Sequence, residues 1–283
     1  MPLVNLAPIL ARPHAEHYAV GAFNDVNGLF VRPILAAAGE LGLPVILMVA
    51  EVHFDRVALE GIAPYLLHLA SRADVPVAVM LDHCASLETA QRAVRCGFTA
   101  VMYDGSRLPY EENLAKTRQV VELAHAVGVS VEGELGHVAG HEGGARGGVS
   151  GEVHTDPALA EDFARRTGVD CLAVSIGTRH GVYEGEVRLD FARLREIRAR
   201  VDLPLVLHGG SGLSDEDFRS AAACGVSKIN YYTYMSLAAT RAARAFLDIN
   251  PGDHDLPRVM DECDRAVRSE VRRAMTVFAR RGE

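Results

Sequence analysis

Eight short apolar runs recur along the chain: "YAVGAF" at 18–23, "VILMVA" at 45–50, "VAVML" at 77–81, "AVMYD" at 100–104, "VSVEGELG" at 129–136, "CLAVSI" at 171–176, "LVLH" at 205–208 and "KINYY" at 228–232. Their hydrophobicity is continuous rather than alternating, which marks strands covered on both faces, as in a parallel sheet flanked by helices. The pattern changes to a helical one at 28–42, 87–97, 111–128, 156–168, 191–201 and 214–225. Several of these segments end in glycine, Asp156-Pro157 reads as an N-cap followed by proline at the first helical position, and Ser214 with Asp217 resembles a capping box. Eight such units in 283 residues predict one α/β domain over 1–283, a closed (β/α)8 TIM barrel. A doubly wound open sheet is the alternative, weakened because no G-x-G-x-x-G follows the first strand. Two stretches fall outside the repeat. The glycine-dense 136–155 reads as a mobile flap, and 250–283 reads as a C-terminal helical extension. In that extension Cys263, Val267, Val271, Met275 and Phe278 form a stripe for packing on the barrel or on a partner subunit.

Composition narrows the partners. The formal charge is -8 with acids and bases interspersed, so the basic footprint of a nucleic-acid or anionic-membrane binder is missing. No apolar run is long enough to span a bilayer, and the N-terminus lacks the basic start and cleavage site of a signal peptide, so a cytosolic location is expected. Five scattered cysteines with no C-x-x-C pair fit reduced, mostly buried thiols.

Candidate chemistry collects where a barrel places it, at the C-terminal strand ends. Asn24 follows the first predicted strand, and Asp82 and His83 follow the third. Asp104 ends the fourth, Glu132 and Glu134 lie late in the fifth, and His180 follows the sixth. His208 ends the seventh and Asn230 lies in the eighth. Any one of these reads equally as a satisfied structural residue; a whole rim of acids and bases without a task is costly to bury. Three histidines from three strands, His83, His180 and His208, suit one zinc ion with a coordination position left open, and cobalt, manganese or iron fit the same ligand type. His137 and His141 compete for a ligand role. Asp82 is suited to proton transfer beside the metal, or to orienting a histidine, because adjacent strand residues diverge. Glu134 and Asp104 offer a second or transient metal position, or hold ligands in place. "HGGSGLS" at 208–214 and "NYYT" at 230–233 supply Gly209, Gly210, Ser211 and Thr233 for an anion at helix N-termini.

Together "LDHC", "VEGELG", "GTRHG", "LVLHGGSGLS" and "KIN" resemble the class II, metal-dependent fructose-bisphosphate aldolase family over nearly the whole chain, with a length nearest its tagatose-bisphosphate branch. The resemblance implies zinc on His83, His180 and His208, a proton-transferring Asp82, and Glu134 as ligand to a displaced metal. It also implies phosphate contacts from Gly181, from Gly209 to Ser211 and from Asn230 to Thr233, and a flap glutamate, Glu142, that takes the proton making the enediolate. Asn24 joins the substrate site, with a monovalent cation as a further cofactor. The implied activity is reversible retro-aldol cleavage of a ketose phosphate to dihydroxyacetone phosphate and an aldehyde, by a homodimer or homotetramer. A zinc hydrolase and a sugar-phosphate-binding barrel without turnover are the other readings, and Schiff-base chemistry at Lys228 is a minor one. The chain departs from the family pattern at Glu51 and His53 after the second strand, at Tyr232, and at Gly143 and Arg146 in the flap. These departures point to an altered acceptor pocket, in which Glu51 would repel a second phosphate.

Overall fold

The apolar runs become the eight strands of a closed parallel barrel in a computed structural model that describes residues 2–140, 153–181, 187–210 and 212–281. In chain order the elements are α1 (Leu6–Glu16), β1 (Val20–Asn24), α2 (Val31–Leu41), β2 (Val45–Ala50), a 3-10 turn (Glu51–His53), α3 (Leu59–Ala70), β3 (Val77–Cys84), α4 (Leu87–Arg95), β4 (Ala100–Tyr103), α5 (Tyr110–His125) and β5 (Ser130–Leu135). There follow β6 (Ala139–Gly140), α6 (Pro157–Thr167), β7 (Cys171–Val174), β8 (Arg179–His180), α7 (Phe191–Arg200), β9 (Leu205–Leu207), α8 (Asp215–Ala223), β10 (Val226–Tyr231), α9 (Thr233–Ile249) and α10 (Leu256–Phe278). The barrel closes in the order β1-β10-β9-β7-β5-β4-β3-β2, and β6 and β8 pair as a separate two-stranded ribbon beyond its rim.

Strand parity sorts the side chains into two cores. Phe23, Leu47, Leu81, Val101, Leu172 and Ile229 point outward and pack under the helices. Val20, Ala22, Ile46, Met48, Ala78, Met80, Ala100, Met102, Ala173 and Val206 point inward, where Leu6, Ile9 and Leu10 of α1 meet them and plug the N-terminal end. Full burial of each of those three side chains stabilises the barrel floor by about 1.5–3 kcal/mol. Higher along the same inward rows the residues turn polar: Asp82, Glu132, Glu134, His208, Lys228 and Asn230 are all buried. A polar storey therefore sits on an apolar one, toward the C-terminal ends of the strands.

The helix ends follow local chemistry. Asp156 caps α6 through the Ala158 and Leu159 amides with Pro157 in the first turn, and Ser214 and Asp217 form a reciprocal capping box at α8. The C-terminal stripe faces its own barrel: Val267, Val271, Met275 and Phe278 are buried, and α10 packs against α2, α8, α9 and β1. No helix among the described residues is long and apolar enough to cross a membrane.

Candidate metal centre and active site

The polar storey is held together by one local departure from strand geometry. Regular strand pairing would send Asp82 inward and His83 outward. Instead the register between β3 and β4 slips between Leu81 and Cys84, and His83 takes a left-handed backbone with φ 48°. A non-glycine residue in that region costs on the order of 1–3 kcal/mol. The bulge swings both consecutive side chains to one side, with His83 Nε2 4.0 Å from Asp82 Oδ1. The divergence expected of neighbouring strand residues is thus cancelled, and acid and imidazole share one cavity.

His83, His180 and His208 converge, with ligand-capable nitrogens all within 4.8 Å of one another. Asp104 Oδ2 lies 3.0 Å from His83 Nδ1 and Glu132 Oε1 lies 2.8 Å from His208 Nε2. Each carboxylate accepts a hydrogen bond from the ring nitrogen it faces, which leaves His83 Nε2 and His208 Nδ1 turned toward each other at 2.9 Å. At that distance two lone pairs repel unless a proton or a metal cation is shared between them. His180 Nε2 is buried with no hydrogen-bond partner among the described residues. Three imidazole nitrogens, one of them orphaned, and carboxylates behind two of the rings fit a divalent metal of the zinc class. Burial, reinforced by the other two imidazoles, pushes the His180 basicity well down, and burial likewise lowers that of His208, so both rings favour the neutral, ligating form. Against the cost of burial, His83 and Ser106 hold Asp104 below the ordinary carboxylate range.

A second group, His83, Asp104 and Glu134, also lies close enough to hold an ion, and Glu134 Oε2 is 3.7 Å from His83 Nδ1. Asp104 meanwhile accepts from both the amide and the hydroxyl of Ser106, so it doubles as the start of a turn. His137 stays apart from the three-histidine group, its Nδ1 3.4 Å from Ser106 Oγ.

Asp82 is clamped by two amides. Asn24 Nδ2 donates to Oδ2 at 2.7 Å and Asn230 Nδ2 donates to Oδ1 at 3.1 Å. The Asn230 amide cannot flip, because its oxygen accepts from Lys228 Nζ at 2.6 Å. The same ammonium lies 2.8 Å from Glu132 Oε2 and is fully buried. Burial would raise the Glu132 carboxyl, but Lys228 and His208 outweigh it and hold it at about 2. One buried cation therefore orients both the carboxylate behind His208 and the amide facing Asp82. Sequence reasoning missed this role. The usable signal was parity, since Lys228 shares the inward row with Asn230 and an inward lysine needs an inward acid, which Glu132 provides. Paired in this way, Lys228 lies beneath the mouth as an ion-pair partner, and the Schiff-base alternative has no support.

The cavity over these groups is also lined by Ala50, His53, Gly181, Gly209, Gly210 and Tyr231 to Thr233. Gly209 has φ 64°, and a Cβ there would come within 2.6 Å of the Arg179 backbone, so only glycine lets the loop after β9 pass under β8. Thr233 opens the long helix α9 at the cavity edge. Tyr232 lies between Phe30 and His53, with ring centroids at 6.4 and 5.8 Å. Glu51 departs from expectation: its two oxygens accept from the Ala85 amide at 2.7 Å and the Thr89 hydroxyl at 2.8 Å. It is spent on the entry to α4 and does not line the cavity, so the repulsion expected of it toward a second phosphate has no basis. Glu142, Arg146 and Ser211, together with His141, Gly143 and most of the proposed flap, lie outside the described residues.

Comparison with known proteins agrees with this geometry. The model of the family "Fructose-bisphosphate aldolase class-II" matches residues 4–283. A fructose-bisphosphate aldolase of Geobacillus stearothermophilus is 40% identical, with 100% of this chain and 99% of the relative covered. The D-tagatose-1,6-bisphosphate aldolase subunit GatY of Klebsiella oxytoca is 36% identical over 99% of each chain. The crystal structure of the YdjI aldolase from Escherichia coli K12 superposes with a TM-score of 0.87 at 31% identity, covering 99% of this chain and 98% of that one. With barrel, histidine cluster and relatives in agreement over the full length, this chain belongs to the class II fructose-bisphosphate aldolase family of aldehyde-lyases.

Proposed function

We propose that this protein catalyses the reversible retro-aldol cleavage of a ketose phosphate, a 1-phosphate or a 1,6-bisphosphate, to dihydroxyacetone phosphate and an aldehyde. The observation that carries the reading is the convergence of His83, His180 and His208 beside an Asp82 clamped by two amides. The three histidines would hold zinc, with Glu134 as an alternate ligand and Asp104 as a candidate for a second position. Bound there, the metal supplies Lewis-acid polarisation of the ketose carbonyl. Asp82 takes the proton of the C4 hydroxyl as the C3–C4 bond breaks, and returns it to the aldehyde oxygen in condensation. The amides of Asn24 and Asn230 keep its carboxylate aimed without neutralising it. Gly181, Gly209, Gly210, Ser211 and Asn230 to Thr233 seat the phosphate of the three-carbon fragment, using backbone N–H groups and the start of α9. In this scheme Glu142 moves the proton on the donor carbon, and a monovalent cation assists at the phosphate. The working form is a cytosolic homodimer or homotetramer, with no nucleic-acid or membrane partner.

The test is direct. Incubation with ketose 1-phosphates and ketose 1,6-bisphosphates gives carbon–carbon cleavage that chelator abolishes and added zinc restores. No chelator-sensitive cleavage of any candidate contradicts the proposal.

A further inference from the structure

Among the described residues, His53 is a polar cavity residue that the retro-aldol scheme leaves without a task. It is 3% exposed, its ring lines the same cavity as Asp82 and His180, and its Nε2 is buried with no hydrogen-bond partner among the described residues. Leaving such an atom unpaired carries the cost of its lost hydration. His180 shows the same feature, and there the proposed partner is the metal. His53 lies outside the histidine group, so its partner is something else.

Topology says which end of a substrate reaches it. The proposed phosphate loops leave β9 and β10, whereas β2 lies three strands from β9 and two from β10 around the barrel and borders β3. Ala50 is the register partner of Asp82, and His53 ends the turn that leaves Ala50. A ketose whose phosphate sits on the β9–β10 side and whose C4 hydroxyl meets Asp82 therefore projects its remaining carbons past Asp82 toward His53. Those carbons become the aldehyde product.

The chemistry of this wall is neutral. Burial lowers the basicity of His53 and Arg56 lowers it further, with Asp55 and Asp82 opposing, so the imidazole is uncharged near pH 7. No lysine or arginine lines the cavity among the described residues. The Tyr232 ring backs the imidazole at 5.8 Å and fixes its face. A neutral nitrogen with one unspent hydrogen-bonding position matches a hydroxyl group, and it brings no positive charge to offset a phosphoryl dianion.

We infer that His53 is a specificity-determining residue that hydrogen-bonds a hydroxyl of the aldehyde-derived fragment, so that the preferred substrates are ketose 1-phosphates with an unphosphorylated hydroxyaldehyde end. This rests on the aldolase reading and narrows its substrate class.

The experiment compares the addition of dihydroxyacetone phosphate to glycolaldehyde and to acetaldehyde, which differ by one hydroxyl, in the zinc-loaded full chain and in His53→Phe and His53→Gln. A site built to bond a hydroxyl rejects the analogue lacking it, so the wild-type kcat/KM ratio is expected to favour glycolaldehyde by about 100-fold or more. His53→Phe brings the ratio close to one, and His53→Gln, which retains a hydrogen-bonding side chain, restores part of it. A ratio unchanged by both substitutions overturns the inference, as does a wild-type preference for glyceraldehyde 3-phosphate over glyceraldehyde. Deuterium exchange into dihydroxyacetone phosphate alone, measured in the wild type, separates the two levels. If exchange occurs and the ratio does not respond, His53 is wrongly assigned and the aldolase reading stands. If exchange is absent, the aldolase reading fails and this inference falls with it.

Discussion

Asp82→Asn is expected to lower kcat for cleavage by about 10²- to 10⁴-fold, the range that a positioned acid or base contributes. The substitution preserves shape and burial, so the loss reports the missing proton acceptor rather than a cavity. The clamp makes the case sharper. Asn24 and Asn230 both present N–H groups to Asp82, so an asparagine at 82 can turn its single oxygen to only one of them. KM for the ketose phosphate is expected to change much less than kcat, because the proposed phosphate contacts come from the segments at β8, β9 and β10 and not from Asp82. Steady-state kinetics of cleavage separate the two parameters. Deuterium exchange into dihydroxyacetone phosphate, which needs no proton from the C4 hydroxyl, falls far less than cleavage does. Equal losses in both reactions contradict the role given to Asp82.

His180→Ala is expected to have a still larger effect. Lewis-acid stabilisation of the developing charge is worth several kcal/mol. At about 1.4 kcal/mol per tenfold, its removal corresponds to roughly 10³-fold or more in rate. His180 is also the clean member of the three to remove. Truncating His83 takes one partner from Asp104, leaving it Ser106, and truncating His208 takes one from Glu132, leaving it Lys228, so either change also disturbs a buried carboxylate. His180 Nε2 has no such partner among the described residues, so stability changes little while metal binding collapses. Metal content by atomic emission after dialysis, read beside the cleavage rate and the thermal midpoint, checks all three. Retained metal with full activity contradicts the assignment.

Much of the barrel was legible because parallel strands buried on both faces carry their signal in consecutive residues: each of the eight apolar runs overlaps a barrel strand. The helices α1, α3 and α9 were not read. Pro13 lies inside α1 and Pro64 inside α3, and both break the helical pattern in sequence although the tertiary packing tolerates them. The start of α9 follows β10 with only Tyr232 between and no side-chain cap, so no start signal exists. The three histidines could be picked out because each ends or follows a strand, a position set by topology alone. What could not be read is conformation. Nothing in "LDHC" announces the left-handed turn at His83 that sets Asp82 and His83 on one side. Nor does "VAEVHF" show that Glu51 turns back to α4 while His53 turns into the cavity. Both outcomes depend on neighbours from other strands, which a linear reading does not see.

The central claim is that a single divalent ion sits among three imidazoles contributed by separate barrel units. The most direct measurement is anomalous diffraction from crystals of the zinc-loaded protein, recorded on either side of the zinc absorption edge. The account predicts one strong difference peak among His83 Nε2, His180 Nε2 and His208 Nδ1, and its disappearance together with cleavage activity after chelation. A cavity without such a peak in fully active, zinc-supplied protein would contradict it.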